Sequence, residues 1–504
     1  MKNLFLHIYC NPRLYMPLII LVWGGFYFFY GPIINVDGGL GYDGHYYGHY
    51  ANRFISMVFG DKIDSYRIQR IFPSFMVYLG MNILNIKNSF YNIIKFFQIY
   101  NLVLLQISAL LWFAIAGHFK LKLKYVWLGF VFWFLNFGVA ELSFYYPVLT
   151  DATALCLGFF LLYAHLKNKL LLKIVITFCG SFTWAGFLIL GIILILFPVS
   201  FKPELSEYGT QKQSLKKRFF VFLLPLPFFI EGIYHFRRFL NNERIPYIET
   251  DLINQTLYIS VFLNFLLMAY FFSFYLPENM SLKDYPSLIR KVFSSLNFKN
   301  ILICIALFIT VTGIQRYLGN EDLPTDNSFS KMFYLMSLYG ATKPLVYVFL
   351  YINYFGPIFI LFFLYMKKFT GVLYELGFGV YLFFIIPFLT IFATESRMNL
   401  YFLPFFLLPA ILMLSKADIT GKICLILTFI AFLFSKIYIP MFNMPDSVPN
   451  KLTFHNQILY INFFTISNRS YLFLLIVITV ITLLLLYAFK KSGKSISENF
   501  SKPF

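Results

Sequence analysis

The sequence has few charged residues: Asp, Glu, Lys and Arg make up 12% of its 504 residues, against roughly 25% in soluble domains. Hydrophobic residues make up 59% and aromatic residues 22%, and the mean hydropathy is +0.72. Such a composition leaves too few polar side chains to cover a water-exposed surface. The scarcity of charge therefore excludes an ordinary soluble protein and predicts an all-α membrane protein with many spans.

Acidic residues are scarcer still, because 22 Asp and Glu stand against 41 Lys and Arg, giving a net charge of +19. In a soluble protein this excess would suggest nucleic-acid binding. Here the lysines lie in short segments between apolar stretches, as the positive-inside rule expects of cytoplasmic loops. We therefore predict no nucleic-acid partner. The basic clusters, such as Lys212 to Arg218, and both termini are predicted to be cytoplasmic.

Cysteine is also rare. The five cysteines lie in or beside apolar stretches without any C-x-x-C spacing. This pattern is typical of small buried hydrophobes and excludes a disulfide framework or a zinc-type site. The segment after Cys10 has no small-residue cleavage site and continues into a full span, so we expect the first helix to remain as an anchor.

The apolar stretches predict one integral membrane domain over residues 1–504, with about 12–14 transmembrane or re-entrant helices. Several stretches are shorter than the roughly 20 residues of a full span, which is why re-entrant helices are included. Alternating the basic clusters across these stretches places residues 35–90 in a large first external loop and 440–470 in a late one.

The first external loop begins with a glycine-rich segment that contains Asp37 and Asp43. Glycine lets the backbone approach a ligand closely, and Tyr46 follows in an aromatic stretch. We interpret Asp43 as a general base for a hydroxyl acceptor, with Asp37 and Tyr46 as substrate-binding residues. The alternative is that Asp43 is a helix N-cap.

Arg67 and Arg70 follow in the same loop, three residues apart. On a helix they would share a face, and two guanidiniums directed at one point suit a phosphate. The alternative is that both side chains reach lipid headgroups. His45 and His49, four residues apart, raise the question of a metal site, but no third and fourth ligand is evident. We predict no metal ligands, and leave the need for a divalent ion open.

Two later segments carry charges on the same predicted side of the membrane. Asp151 opens an apolar helix, and carboxylates at the edge of a span are costly and usually functional; an N-cap is again the alternative. Glu395 and Arg397 lie between two apolar stretches, where they either pair with each other or contribute charges to a ligand site.

These motifs carry a resemblance. The order of a first helix, Tyr42-Asp43-Gly-His-Tyr-Tyr and then Tyr66-Arg-Ile-Gln-Arg-Ile-Phe-Pro73 resembles bacterial GT-C-fold membrane glycosyltransferases, and is similar to the first loop of the GPI mannosyltransferases. Thr150-Asp151 and Glu395-Ser-Arg397 resemble later acidic and Glu/Arg elements of the superfamily. The chain departs at Tyr42, where the mannosyltransferases have Trp, and at 181–186, where relatives often have Thr-Lys-Glu.

The resemblance implies an inverting glycosyltransferase of the bacterial inner membrane. Its donor would be a polyprenyl-phosphate-linked sugar, its acceptor a hydroxyl of a glycan, lipid or protein, and it would need no organic cofactor. Asp43 and Asp151 would be catalytic, while Asp37, Tyr46, Arg67, Arg70, Glu395 and Arg397 would bind substrate. Two alternatives stay open: a transporter or flippase of lipid-linked glycans, and a glycan polymerase or ligase that uses an oligosaccharide lipid.

Overall fold

The computed structural model describes residues 11–61, 63–201, 250–275, 285–294, 296–320, 343–391, 396–439 and 468–491, with isolated positions between 223 and 234. Glu395, the basic segment 212–218 and most of the predicted late loop, 440–467, lie outside the described residues.

The first half of the chain folds into helices of very different length. In chain order they are α1 Pro12–Tyr30, α2 Tyr42–Asn52, α3 Phe54–Ser56, α4 Phe72–Ile83, α5 Phe90–His118, α6 Leu123–Phe134, α7 Leu142–Tyr145, α8 Asp151–Leu166, α9 Leu170–Ser181 and α10 Gly186–Leu196. Short 3₁₀ or π turns at Asp37–Gly39, Met57–Asp61, Ile68–Arg70 and Phe137–Glu141 lie between them.

The second half continues in the same way. Its helices are α11 Thr250–Tyr275, α12 Tyr285–Ser294, α13 Phe298–Leu318, α14 Val346–Phe355, α15 Pro357–Leu364, α16 Met366–Glu375, α17 Phe378–Phe383, α18 Ile385–Thr390, α19 Leu403–Lys416, α20 Gly421–Ser435 and α21 Asn468–Lys491, with a 3₁₀ turn at Ser396–Phe402 before α19. Two two-residue strands, β1 Ile63–Asp64 and β2 Gly319–Asn320, pair in parallel.

The protein is an all-α, multi-pass membrane protein. Among the described residues, six helices are long and apolar enough to cross a membrane, or eight spans if each of two bent pairs counts as one. Six further apolar helices are only 10–17 residues long. The predicted count of about 12–14 therefore depends on how the shorter helices and the bent pairs are counted.

Two stretches that the sequence presents as single spans, about 343–365 and 370–393, are broken in the structure. The first is interrupted at Gly356, whose φ of 70° ends α14 and starts α15. Glycine adopts this left-handed conformation without the penalty that a Cβ would bring. Apolar composition indicates burial, but it does not reveal where a buried segment changes direction.

The site is positioned by inner helices. The span that includes α19 is 89% buried, and α8 packs against α5, α9, α19 and the turn that precedes α19. In contrast, less than a quarter of each of α1, α13 and α21 is buried inside the protein. The predicted loop 35–90 folds into α2, α3 and α4, which pack on one another, and α2 and α4 also contact α5.

Candidate functional site

The carboxylate of Asp43 is held by an arginine from the far end of the chain. Asp43 is the second residue of α2, and its Oδ2 accepts a hydrogen bond of 2.8 Å from Nη2 of Arg397. The N-cap of α2 is Gly41, so the alternative that Asp43 caps this helix is wrong. The Asp43 side chain is 34% exposed, so an incoming group can reach it.

The same guanidinium also contacts Asp151. Nη1 of Arg397 lies 3.7 Å from Oδ2 of Asp151, which is the first residue of α8. The N-cap position belongs to Thr150, whose side chain makes no capping hydrogen bond, so Asp151 is not the cap either. Asp151 and Arg397 are 5% and 8% exposed. The two carboxylates predicted to be catalytic therefore meet at one buried guanidinium.

Arg397 occupies a turn that is fixed by a buried polar network. Asn399 Nδ2 donates to the Tyr351 hydroxyl at 2.8 Å, and that hydroxyl donates to the Thr390 carbonyl at 2.9 Å. The Thr390 hydroxyl closes the network by donating to Asn399 Oδ1 at 2.6 Å. Such networks rigidify their surroundings when their members are satisfied. Glu395 lies outside the described residues, so nothing here tests whether it pairs with Arg397 or contributes to a ligand site.

Arg67 and Arg70 lie next to this cluster, but on a 3₁₀ turn rather than on the α-helix that their spacing suggested. Arg67 donates to Asp64 Oδ2 at 2.7 Å, and its Cζ lies 3.4 Å from the ring centre of Tyr46. Tyr46, which we predict to bind substrate, therefore forms a cation–π contact with Arg67, which we predict to bind phosphate.

Arg70 is enclosed by aromatic rings. Its Cζ lies 4.3 Å from the ring centre of Tyr66 and 4.2 Å from that of Trp184, and the residue is 6% exposed. A guanidinium buried in this way does not extend to lipid headgroups, so the alternative of headgroup contact is wrong for Arg70. Its charge stays inside the protein, where it acts on the Tyr47 hydroxyl and on the Asp43 carboxylate.

The arginines determine the protonation state of Asp43. Burial raises the pKa of this carboxyl, but the charges of Arg397, Arg70 and Arg67, together with the Arg397 hydrogen bond, outweigh burial and hold the pKa below its usual value. Asp43 is consequently ionised at neutral pH. A carboxylate held in this way can accept a proton, but it is a weaker base than one without cationic partners.

Asp37, His45 and His49 form a separate group on another face of α2. Asp43 and His45 are two residues apart on α2, so their side chains point in widely different directions. Asp37 Oδ2 lies 2.6 Å from His45 Nδ1, and Asp37 therefore belongs with His45 and not with Asp43. The rings of His45 and His49 are 4.5 Å apart. Across the described part of the chain, no three His, Cys, Asp or Glu side chains are grouped to hold a metal ion.

Tyr146 and Trp184 belong to the site, although the sequence did not single them out. The Tyr146 hydroxyl accepts a 3.1 Å hydrogen bond from the Gly44 backbone N–H, next to Asp43. Gly41, at φ 80°, packs so closely that a Cβ there would lie 2.2 Å from the Tyr146 ring. Both residues lie in segments that the sequence analysis had marked: Tyr146 lies five residues before Asp151, and Trp184 lies within 181–186.

The chain that leads to Asp151 is a broken helix whose carbonyl groups are bonded by side chains. After α6 it bends by 65° and continues through a π turn and α7. The donors, all from α1 or α5, are Trp23 to the Ala140 carbonyl, Gln98 to Phe144, and Asn101 to both Ser143 and Pro147. Irregular backbone inside a membrane requires such internal partners. The segment is therefore a fixed support for Tyr146 and Asp151.

The site combines acidic and basic side chains from four separate parts of the sequence. Asp43, Asp151 and Arg397 meet directly, Arg67 and Arg70 add positive charge beside them, and Asp37 lies apart with His45. Such an arrangement can bind an anion and accept a proton from a neighbouring hydroxyl. Comparison of the whole chain with protein-family models, with curated proteins and with solved structures finds no match.

Proposed function

We propose that this protein is a membrane glycosyltransferase that moves a sugar from a polyprenyl-phosphate donor to an acceptor hydroxyl, with inversion at the anomeric carbon. The observation that carries the proposal is the meeting of Asp43 and Asp151 at Arg397, with Arg70 and Arg67 alongside. Two carboxylates and three guanidiniums provide both a proton acceptor and a binding place for a phosphate leaving group.

In the proposed reaction the acceptor oxygen attacks the anomeric carbon from the side opposite the phosphate. The acceptor O–H bond breaks, and its proton passes to the Asp43 carboxylate. A new carbon–oxygen bond forms while the bond from the anomeric carbon to the phosphate oxygen breaks, and its electron pair stays on the phosphate. The arginines stabilise that growing negative charge, and Asp151 orients the acceptor or Arg397.

A lipid-linked donor agrees with the architecture. The described residues form helices and one pair of two-residue strands, so this part of the chain contains no parallel sheet of the kind that binds nucleotides. A donor carried by a lipid diffuses in the membrane and presents its phosphate at the interface. The many apolar helices would then serve both as anchor and as the wall along which the prenyl chain lies.

The decisive experiment uses the purified protein in detergent with a panel of prenyl-phosphate-linked sugars, and measures release of prenyl phosphate. Asp43→Asn should reduce transfer by about 10²–10⁴-fold, the range for loss of a general base. Asn keeps an oxygen that can accept from Arg397, so the fold should persist. Asp418→Asn, a carboxylate at the other end of α19, is the matched control.

The outcomes separate the alternatives. Transfer by Asp43→Asn within a few-fold of the unchanged protein would exclude Asp43 as the base. Absence of release from every donor, together with movement of lipid-linked glycans across proteoliposomes, would support a transporter or flippase instead. Release from oligosaccharide lipids, but not from single-sugar donors, would identify a polymerase or ligase.

The side of the membrane provides a second test, because a cytoplasmic site would be accessible to nucleotide sugars and would remove the argument for a lipid donor. In a cysteine-free background, Ser56→Cys in the predicted first external loop and Lys122→Cys in a basic cluster are both placed at exposed positions. An impermeant thiol reagent added to intact cells should label the cysteine at position 56 and leave that at 122 unlabelled. The reverse pattern would overturn the predicted orientation.

A further inference from the structure

Arg397 serves two carboxylates through two different nitrogen atoms. Nη2 donates to Asp43 at 2.8 Å, while Nη1 lies 3.7 Å from Asp151. Arginine binds a phosphate most strongly through two parallel N–H groups directed at two oxygen atoms. Nη1 and Nη2, which now face the two carboxylates, are also the pair that would hold a phosphate end-on, so a phosphate bound across them competes with Asp43 and Asp151.

We infer that the phosphate of the ligand competes with Asp43 for Arg397, so that Asp43 becomes an effective proton acceptor only when the anionic ligand is bound. The inference rests on the proposed function, because it takes the phosphate of the lipid-linked donor as the competing anion. In the resting protein Asp43 is neutralised by Arg397. In the complex Arg397 turns to the phosphate, and the proton affinity of Asp43 rises.

The surroundings of Asp43 support this direction. The charged and titratable groups that interact with it come from several neighbouring elements: Arg397 from the turn before α19, Arg67 and Arg70 from the turn before α4, Tyr146 from the segment before α8, and Tyr47 from α2 itself. Asp151 of α8 shares the Arg397 guanidinium with Asp43. If Arg397 is diverted, Asp43 loses its hydrogen-bonded cation, and the phosphate brings a negative charge to the same guanidinium. Like charges that share a site favour protonation of one of them.

The remaining arginines compensate only partly. Arg67 is already hydrogen-bonded to Asp64 at 2.7 Å, and Arg70 is enclosed between Tyr66 and Trp184. Arg397 is the cation that hydrogen-bonds directly to Asp43, so its diversion changes Asp43 most. This arrangement ties activation of the base to occupancy by the donor, which would limit proton abstraction at an empty site.

Binding of the anionic ligand should be accompanied by uptake of a proton. The bound state holds Asp43 with higher proton affinity, so it binds more protons than the free protein, and affinity must rise as pH falls. The probe is a short-chain prenyl methyl phosphodiester, which keeps a single negative charge over the range used. Between about pH 8 and pH 5 its Kd should fall, by at most about tenfold per pH unit for one proton.

Three variants complete the experiment. Asp43→Asn should bind the probe with a Kd that is independent of pH, while Asp418→Asn should keep the full pH dependence. Arg397→Gln should bind the probe more weakly at every pH. If Asp43→Asn does not fold, calorimetry of the unchanged protein in two buffers of different ionisation enthalpy counts the protons directly.

The failures are distinguishable. Probe binding that does not depend on pH, or pH dependence that persists in Asp43→Asn, would overturn the inference and leave the proposed donor class intact. No probe binding at any pH would count against the proposed function itself. Proton uptake on binding that disappears with Asp43→Asn would establish the coupling.

Discussion

The two ends of α19 carry ionic clusters of very different kinds. At its start, Arg397 joins Asp43 and Asp151, and the Arg397–Asp43 pair links residues 354 positions apart. The helix itself is about 21 Å long. Just beyond its end, Asp418 accepts from Lys122 and Lys124, each at 3.1 Å. The distances are ordinary in both places, and the surroundings differ.

Burial decides what each cluster does. The side chains of Lys122 and Asp418 are 69% and 49% exposed, and exposed ion pairs contribute at most about 1 kcal/mol. Arg397 and Asp151 are almost fully buried, so their attraction must offset a large loss of hydration. A buried pair is therefore weak evidence for stability. The proposed function makes use of this pair because it lies beside a reachable carboxylate.

Removing the shared cation should have the largest effect. Arg397→Gln leaves two carboxylates without their common partner, so we expect the free energy of unfolding to fall by about 3 kcal/mol, the lower end for breaking a buried ion pair because Asp43 is partly exposed. Denaturant titration in detergent measures this. The double variant Arg397→Gln with Asp151→Asn should recover part of the lost stability without recovering transfer. A single variant as stable as the parent would contradict this account.

Replacing Arg67 or Arg70 by lysine should have an intermediate effect on transfer, and the effect on donor KM should differ between the two positions. Arg70→Lys loses planar contacts with Tyr66 and Trp184, and a lysine cannot reproduce the guanidinium fork. Arg67→Lys loses contact with Asp64 and Tyr46 at a more exposed position. We expect donor KM to rise about tenfold for Arg70→Lys, corresponding to roughly 1.4 kcal/mol, and less for Arg67→Lys. If both variants have the donor KM of the parent, neither Arg67 nor Arg70 binds the phosphate.

The smallest effect is expected at the far end of α19. The double variant Lys122→Gln with Lys124→Gln removes both lysine contacts of Asp418, and the unfolding free energy should change by at most about 1 kcal/mol. Transfer by the purified protein should remain within twofold of the parent, as roughly expected for an exposed pair. A loss of unfolding free energy as large as that of Arg397→Gln would mean that the two clusters do not differ in stability because of their exposure.

Chemical character could be predicted from the sequence, but pairing could not. Asp43 was selected as a carboxylate in a glycine-rich loop, Asp151 because a carboxylate at the edge of a span is costly, and Arg397 because it lies between two apolar stretches. The structure brings the three together. For Arg397 the sequence offered either a pair with its neighbour Glu395 or a charge for a ligand site, because local spacing is the only geometry that a sequence displays. A contact across 354 positions depends on how α8 and α19 pack.

The same limit explains the errors in local structure. The spacing of Arg67 and Arg70 fits an α-helix, but the chain forms a 3₁₀ turn there, just before Pro73 in the first turn of α4. Asp37 seemed to belong with Asp43 because both lie in one glycine-rich segment. The backbone instead turns at Asp37, where φ is 49°, and directs its carboxylate to His45.

The broken helix before Asp151 has a consequence for how the protein is made. Its carbonyl groups are satisfied by Trp23 on α1 and by Gln98 and Asn101 on α5, all of which precede it in the chain. During synthesis from the N-terminus, these donors enter the membrane before the segment that needs them. The bent segment therefore meets a prepared surface on insertion, and its exposed peptide groups are not left in lipid, where each would cost several kcal/mol.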